Sequence, residues 1–142
     1  MMMTRTLVAL AGLYGAIGVA LGAFGAHALK DRLPPERLAH IDTGVRYLFT
    51  SLPGILAAAA FVQDRSGGAF VTIAGLAFGF GVLLFTGSLV ALAFTGQKRW
   101  GAVTPIGGVL LIVGWLAVIG AALMLPGSAG GGWFGYGPPI AC

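Results

Sequence analysis

Few residues in this chain are suited to chemistry. His27, His40 and Asp42 form the one cluster that could ligate a metal or pass a proton, in the stretch "AHALKDRLPPERLAHID" at 26–42. Metal sites draw on short, fixed ligand spacings, and this trio has none. Ser51 and Ser88 have no histidine near them in sequence to act as a base. The glycine runs lack the Lys-Ser/Thr ending of a phosphate-binding loop. Cys142 is the single cysteine and the last residue, so an internal disulfide, a Cys-based metal site and a prenylation signal are not expected. That leaves His27, at the end of an apolar run. An imidazole inside a membrane helix is costly and by default a functional suspect. Close to a helix end it can instead bond a loop or a backbone carbonyl, and anchoring is the expected role. His40 is expected to be solvated or paired with Glu36, one turn away. These residues point to a non-enzymatic protein with no cofactor and no bound metal.

The elements that must carry them are written in the composition. Of 142 residues, 58% are hydrophobic and 8% charged, with mean hydropathy +0.96, whereas soluble domains carry about 25% charged residues. Such a chain cannot cover a soluble globule with polar surface, so it reads as an all-α membrane protein. The 25 glycines show no collagen period and sit inside apolar runs, where membrane helices use them for close packing. The net charge of +4 forms no continuous basic face, so nucleic acid is not an expected partner. Membrane lipids are.

Four apolar segments, at about 6–29, 45–62, 69–95 and 104–125, predict four transmembrane helices. The second is short and holds Pro53, which removes one backbone hydrogen bond and predicts a kink. The first resembles a secretory signal, with Arg5 and an Ala26-His27-Ala28 site. It is read as a retained helix that can insert as a signal anchor. Between the first two segments, Pro34-Pro35 suits a helix start, and Leu38, Ile41, Val45 and Leu48 recur at helical spacing. A short interfacial amphipathic helix is predicted there, with Gly44 as the bend into the second span. Arg5 and Arg65 stand on one side, and six basic residues (Lys30, Arg32, Arg37, Arg46, Lys98, Arg99) on the other. The positive-inside rule then puts both termini outside, in the periplasm of a bacterial inner membrane. Residues 1–125 form the transmembrane domain and 126–142 a Gly/aromatic tail, whose Trp133, Phe134 and Tyr136 suit docking to the membrane interface or to a partner protein.

Gly18, Gly22 and Ala26 make a small-xxx-small ridge on the first helix, and Gly75 and Gly79 another on the third. Packing inside the bundle is the expected use, with packing against another protein as the other. "TPIGG" at 104–108 is expected to open the fourth helix, with Thr104 as cap, Pro105 in its first turn and Gly107-Gly108 for close approach. Tyr47 and Trp115 are candidates to share a polar site with His27.

"GAFGAHAL" at 22–29, "TGVRY" at 43–47, "FTGSL" at 85–89 and "TPIGG" with "GW" at 104–115 together resemble the membrane family known as domain of unknown function 423, with its YgdD-like and transmembrane protein 256-like members. The resemblance spans about residues 6–125 and implies a four-helix inner-membrane protein without implying an activity. Where that family's pattern has a Gln and then a His after "GVRY", this chain has Leu48 and Ser51, which weakens any two-histidine relay. Val90 replaces a frequent tyrosine, and the tail lies outside the pattern. The expected function is an accessory subunit of a larger membrane complex, respiratory or photosynthetic. The alternative is a small transporter, channel or lipid- or quinone-binding protein.

Overall fold

A computed structural model describes residues 2–63 and 68–125, and within them four helices: α1 (Met2–Ala26), α2 (Pro35–Gln63), α3 (Gly68–Thr95) and α4 (Arg99–Leu123). All four are long and apolar enough to cross a membrane. At about 1.5 Å per residue they run about 37–44 Å, against a hydrocarbon layer of about 30 Å. Their connections are too short for the chain to cross back, so successive helices are antiparallel.

The ends follow local chemistry. Pro34 accepts backbone bonds from Arg37 and Leu38 at 3.0 and 3.1 Å, so the proline pair starts α2 where its missing N–H costs nothing. α3 stops at Gly96, which has φ +67° and donates its N–H to Leu92 O at 2.8 Å. Glycine takes that conformation without strain. A side chain there would also meet the Arg37 guanidinium, which lies across this corner from the start of α2.

Two boundaries differ from expectation. The amphipathic stretch is not a separate helix: α2 runs without interruption from Pro35 to Gln63, through both Gly44 and Pro53. Gly44 is buried against α3, and its carbonyl accepts a hydrogen bond from Thr86 Oγ1 at 3.0 Å. The missing side chain serves approach to α3 rather than a bend. α4 begins at Arg99, not at Thr104, because the chain turns tightly at Gln97-Lys98 directly after Gly96. Thr104 therefore sits inside the helix, bonding Trp100 O at 3.3 Å.

α3 is the centre. It packs most extensively on α4 and next on α2, while α1 lies along α2. The Phe78 ring is fully buried in a slot between two bare backbones. A Cβ on Gly54 of α2 would stand 2.6 Å from Phe78 Cε2, and one on Gly114 of α4 3.0 Å from Phe78 Cδ1. Further along, a Cβ on Gly107 would stand 2.7 Å from the Cα of Phe85, which marks a close approach of the α3 and α4 backbones. Without a hydrophobic drive between helices in lipid, such approaches and their dispersion contacts hold the bundle.

Gly54→Ala forces the Phe78 ring out of a slot with no free side, at a cost of about 1–3 kcal/mol. Gly12→Ala meets nothing within 4 Å and is expected to stay within about 0.5 kcal/mol of the parent. Thermal unfolding of both variants in one detergent checks the contrast.

Candidate functional site

The chain folds its polar groups into three settings. His27 lies in the turn after α1, held by its own N–H bond to Ala23 O at 3.1 Å. Its side chain is exposed, and the imidazole makes no hydrogen bond among the described residues. It therefore does not anchor the loop as expected. His40 is half-buried on α2 and is not paired with Glu36. Asp42 bonds Arg46 at 2.8 Å in a solvated i,i+4 pair, and exposed pairs of this kind add little stability. No group of three potential metal ligands exists among the described residues.

The second setting is the bundle interior, where hydroxyls join helices. Tyr14 of α1 donates to Gly79 O of α3 at 2.6 Å. Thr86 of α3 donates to Gly44 O of α2. Ser88 of α3 shares a 2.8 Å hydrogen bond with Thr104 of α4. Each of the other helices thus reaches α3 through one polar bond. No buried side-chain polar atom lacks a partner among the described residues.

The third setting is a groove of about 500 Å³ between α2 and α4. These two helices barely touch, and the groove between them is lined in part by Phe85 of α3. From α2 come Arg46, Tyr47, Thr50 and Ser51; from α4 come Gly108, Leu111, Ile112 and Trp115. Tyr47 packs on Phe85 with ring centroids 4.5 Å apart, and Trp115 meets Phe78 edge-on at 5.3 Å. Ser51, at the position where the family resemblance leads one to expect histidine, donates to Tyr47 O at 2.7 Å. So Tyr47 and Trp115 share one groove, and His27 is not part of it. A second seam, between α1 and α3, holds two apolar clefts of about 440 and 260 Å³, both lined by Tyr14.

Among the glycines singled out by spacing, Gly18 is tight: a Cβ there would stand 2.9 Å from Leu48 Cδ2 of α2. Gly75 is equally close to Leu7 of α1, and Gly79 faces Leu10 at 3.3 Å. Gly22 and Gly108 have ordinary contacts, at 3.7 Å to Val45 and 3.6 Å to Phe85. Ala26 is exposed at the end of α1. Sequence reasoning missed Gly54, Gly81 and Gly114, whose signal is the bulky partner on the facing helix rather than their own spacing. Trp133, Phe134 and Tyr136 lie outside the described residues.

Comparison with known proteins identifies relatives along most of this bundle. Residues 21–108 match the family model described as "Protein of unknown function (DUF423)". The chain is 36% identical over 119 residues to the UPF0382 membrane protein YwdK of Bacillus subtilis, covering 84% of this chain and 97% of that protein. It is 40% identical over 114 residues to a UPF0382 membrane protein of Haemophilus influenzae, covering 80% and 87%. Identity to the UPF0382 inner membrane protein YgdD of Escherichia coli K12 is 36% over 124 residues, covering 87% and 94%. No solved structure matches.

The two histidine-pattern positions should differ in access to water. With Cys142 replaced by serine, His27→Cys is expected to react rapidly with a water-soluble maleimide in intact proteoliposomes. Ser51→Cys, at a position 2% exposed, should react only after detergent solubilisation. Equal labelling of both would contradict the burial described here.

Proposed function

The chain belongs to the DUF423 family of integral membrane proteins, and on that premise we propose that it works as a non-catalytic accessory subunit of a larger inner-membrane complex. The observation that carries this reading is the outer face of α1. Gly12 has no neighbour within 4 Å, and it is exposed together with Ala16 and Ala20 one and two turns further on. None of the bundle's own helices uses this bare strip. Small residues at that spacing let a neighbouring helix approach closely. The glycines at 18 and 75 are already taken up inside the bundle, whereas the outer strip of α1 is open to another protein.

Energy-converting assemblies, respiratory or photosynthetic, are the proposed setting, because they accumulate small helical subunits of this kind. The tail at 126–142 is proposed as a separate docking segment that contributes Trp133, Phe134 and Tyr136. The six basic residues of the first and third connections are proposed to face the cytoplasm, with both termini outside. A transporter or channel is less well supported, because the interior hydroxyls are engaged in bonds between or within helices and offer no polar path.

Native electrophoresis of membranes in mild detergent is expected to show the chain in a large assembly, which Gly12→Leu disrupts without unfolding the bundle. Migration of the parent protein only as a free monomer, with a protease-sensitive tail, would overturn the proposal. Orientation has its own check. Cys142 should react with an impermeant thiol reagent added outside intact spheroplasts, and labelling only in inverted vesicles would reverse the topology.

A further inference from the structure

We propose that the groove between α2 and α4 is a binding site for one anionic glycerophospholipid, with the phosphate at Arg46 and the upper acyl chain between Tyr47 and Trp115. This inference stands independently of any partner complex.

Charge places the headgroup. Arg46 is the last charged residue of α2 before sixteen uncharged positions, Tyr47–Val62. It therefore marks the boundary between headgroups and hydrocarbon on this helix. One guanidinium nitrogen is engaged by Asp42, and the other donors are left for a phosphate, the planar partner that arginine suits. The pair is solvated, with side chains 76% and 61% exposed, so a phosphate can reach it without displacing buried structure.

Depth places the chain. Arg37 at the start of α2 touches Gly96 just before α4, so both helices begin at the same membrane face. Arg46 lies eleven residues into α2 and Trp115 sixteen into α4, a difference of about 8 Å along the membrane normal. That distance spans a phosphate, its glycerol and the first acyl carbons. Helical side chains lean toward the helix N-terminus, which tips Trp115 back toward the headgroup level. The Tyr47 hydroxyl and the Trp115 indole N–H make no hydrogen bond among the described residues, and both rings line the groove. Donors at the edge of hydrocarbon need acceptors, and lipid ester carbonyls supply them. Between the levels of Arg46 and Trp115, Leu111 and Ile112 give the upper acyl chain an apolar wall. The groove opens sideways because α2 and α4 barely touch, so a lipid enters from the bilayer without any gate.

Trp115 also supplies the readout. In a Trp100→Phe, Trp133→Phe background it is the sole tryptophan. The protein would be reconstituted in vesicles containing either brominated phosphatidylglycerol or brominated phosphatidylcholine at equal low mole fraction. The anionic lipid is expected to quench Trp115 with about fivefold higher apparent affinity, the increment of one basic residue near an anionic headgroup. Arg46→Gln should abolish that preference, and Arg46→Lys should keep part of it. Asp42→Asn, at a solvated position that leaves the fold untouched, should increase it by removing the competing carboxylate. A merely structural Asp42–Arg46 pair would leave the selectivity of Asp42→Asn at the parent value. Equal quenching by the two lipids in the parent protein, or selectivity unmoved by both charge substitutions, would overturn the proposal. So would native mass spectrometry showing a retained quinone in place of a phospholipid.

Discussion

Two helices in hydrocarbon gain nothing by hiding leucine from lipid, so their attraction depends on how closely their backbones can approach. In this bundle that constraint is met around one ring. Phe78 fills the space above Gly54 on one side and Gly114 on the other, so a single side chain of α3 is sandwiched by two helices that scarcely touch each other. The remaining architecture follows. α2 and α4 are registered against α3 at the same level, and their mutual separation is set by an aromatic ring instead of by their own side chains.

That separation has two effects. It leaves a lateral groove beside Phe85, bordered by polar groups of α2 and apolar groups of α4. It also leaves the interior hydroxyls with backbone carbonyls, or one another, as their nearest partners. Tyr14, Thr86 and Ser88 each settle one helix against α3. Such bonds are worth about 0.6 kcal/mol on average in membrane bundles, because the separated helices also find partners. Their main contribution is register: a helix turned by one residue loses its bond and its glycine contact together.

Four spans were legible from hydropathy alone, since no soluble fold tolerates so few charges. α2 was the least legible. Its first three turns carry Glu36, Arg37, His40, Asp42 and Arg46, so apolarity marks only its second half, and Gly44 looks like a break. Gly44 instead packs against Thr86, forty-two residues away, and no local pattern carries that information. Spacing found Gly18 and Gly75, which lie on obvious ridges. Gly54 sits beside Pro53 and Gly114 beside Trp115, and both draw attention to the neighbour. Their role depends on which way Phe78 faces. His27 belongs to the most recognisable motif of the family resemblance, yet it stands in a solvated turn. Tyr47 and Trp115 line one groove without it, because it precedes α2 by eight residues and lies at the rim.

The corner where Arg37 crosses Gly96 joins the beginning of the second helix to the end of the third. About sixty residues separate the two, and contacts of long sequence separation form late. As the chain is threaded into the bilayer, Arg37 is released before the third helix has been made, and it meets Gly96 only later. The corner closes only when the second hairpin has been fully delivered. A chain truncated before Gly96 therefore lacks the contact that packs the start of the second helix against the end of the third.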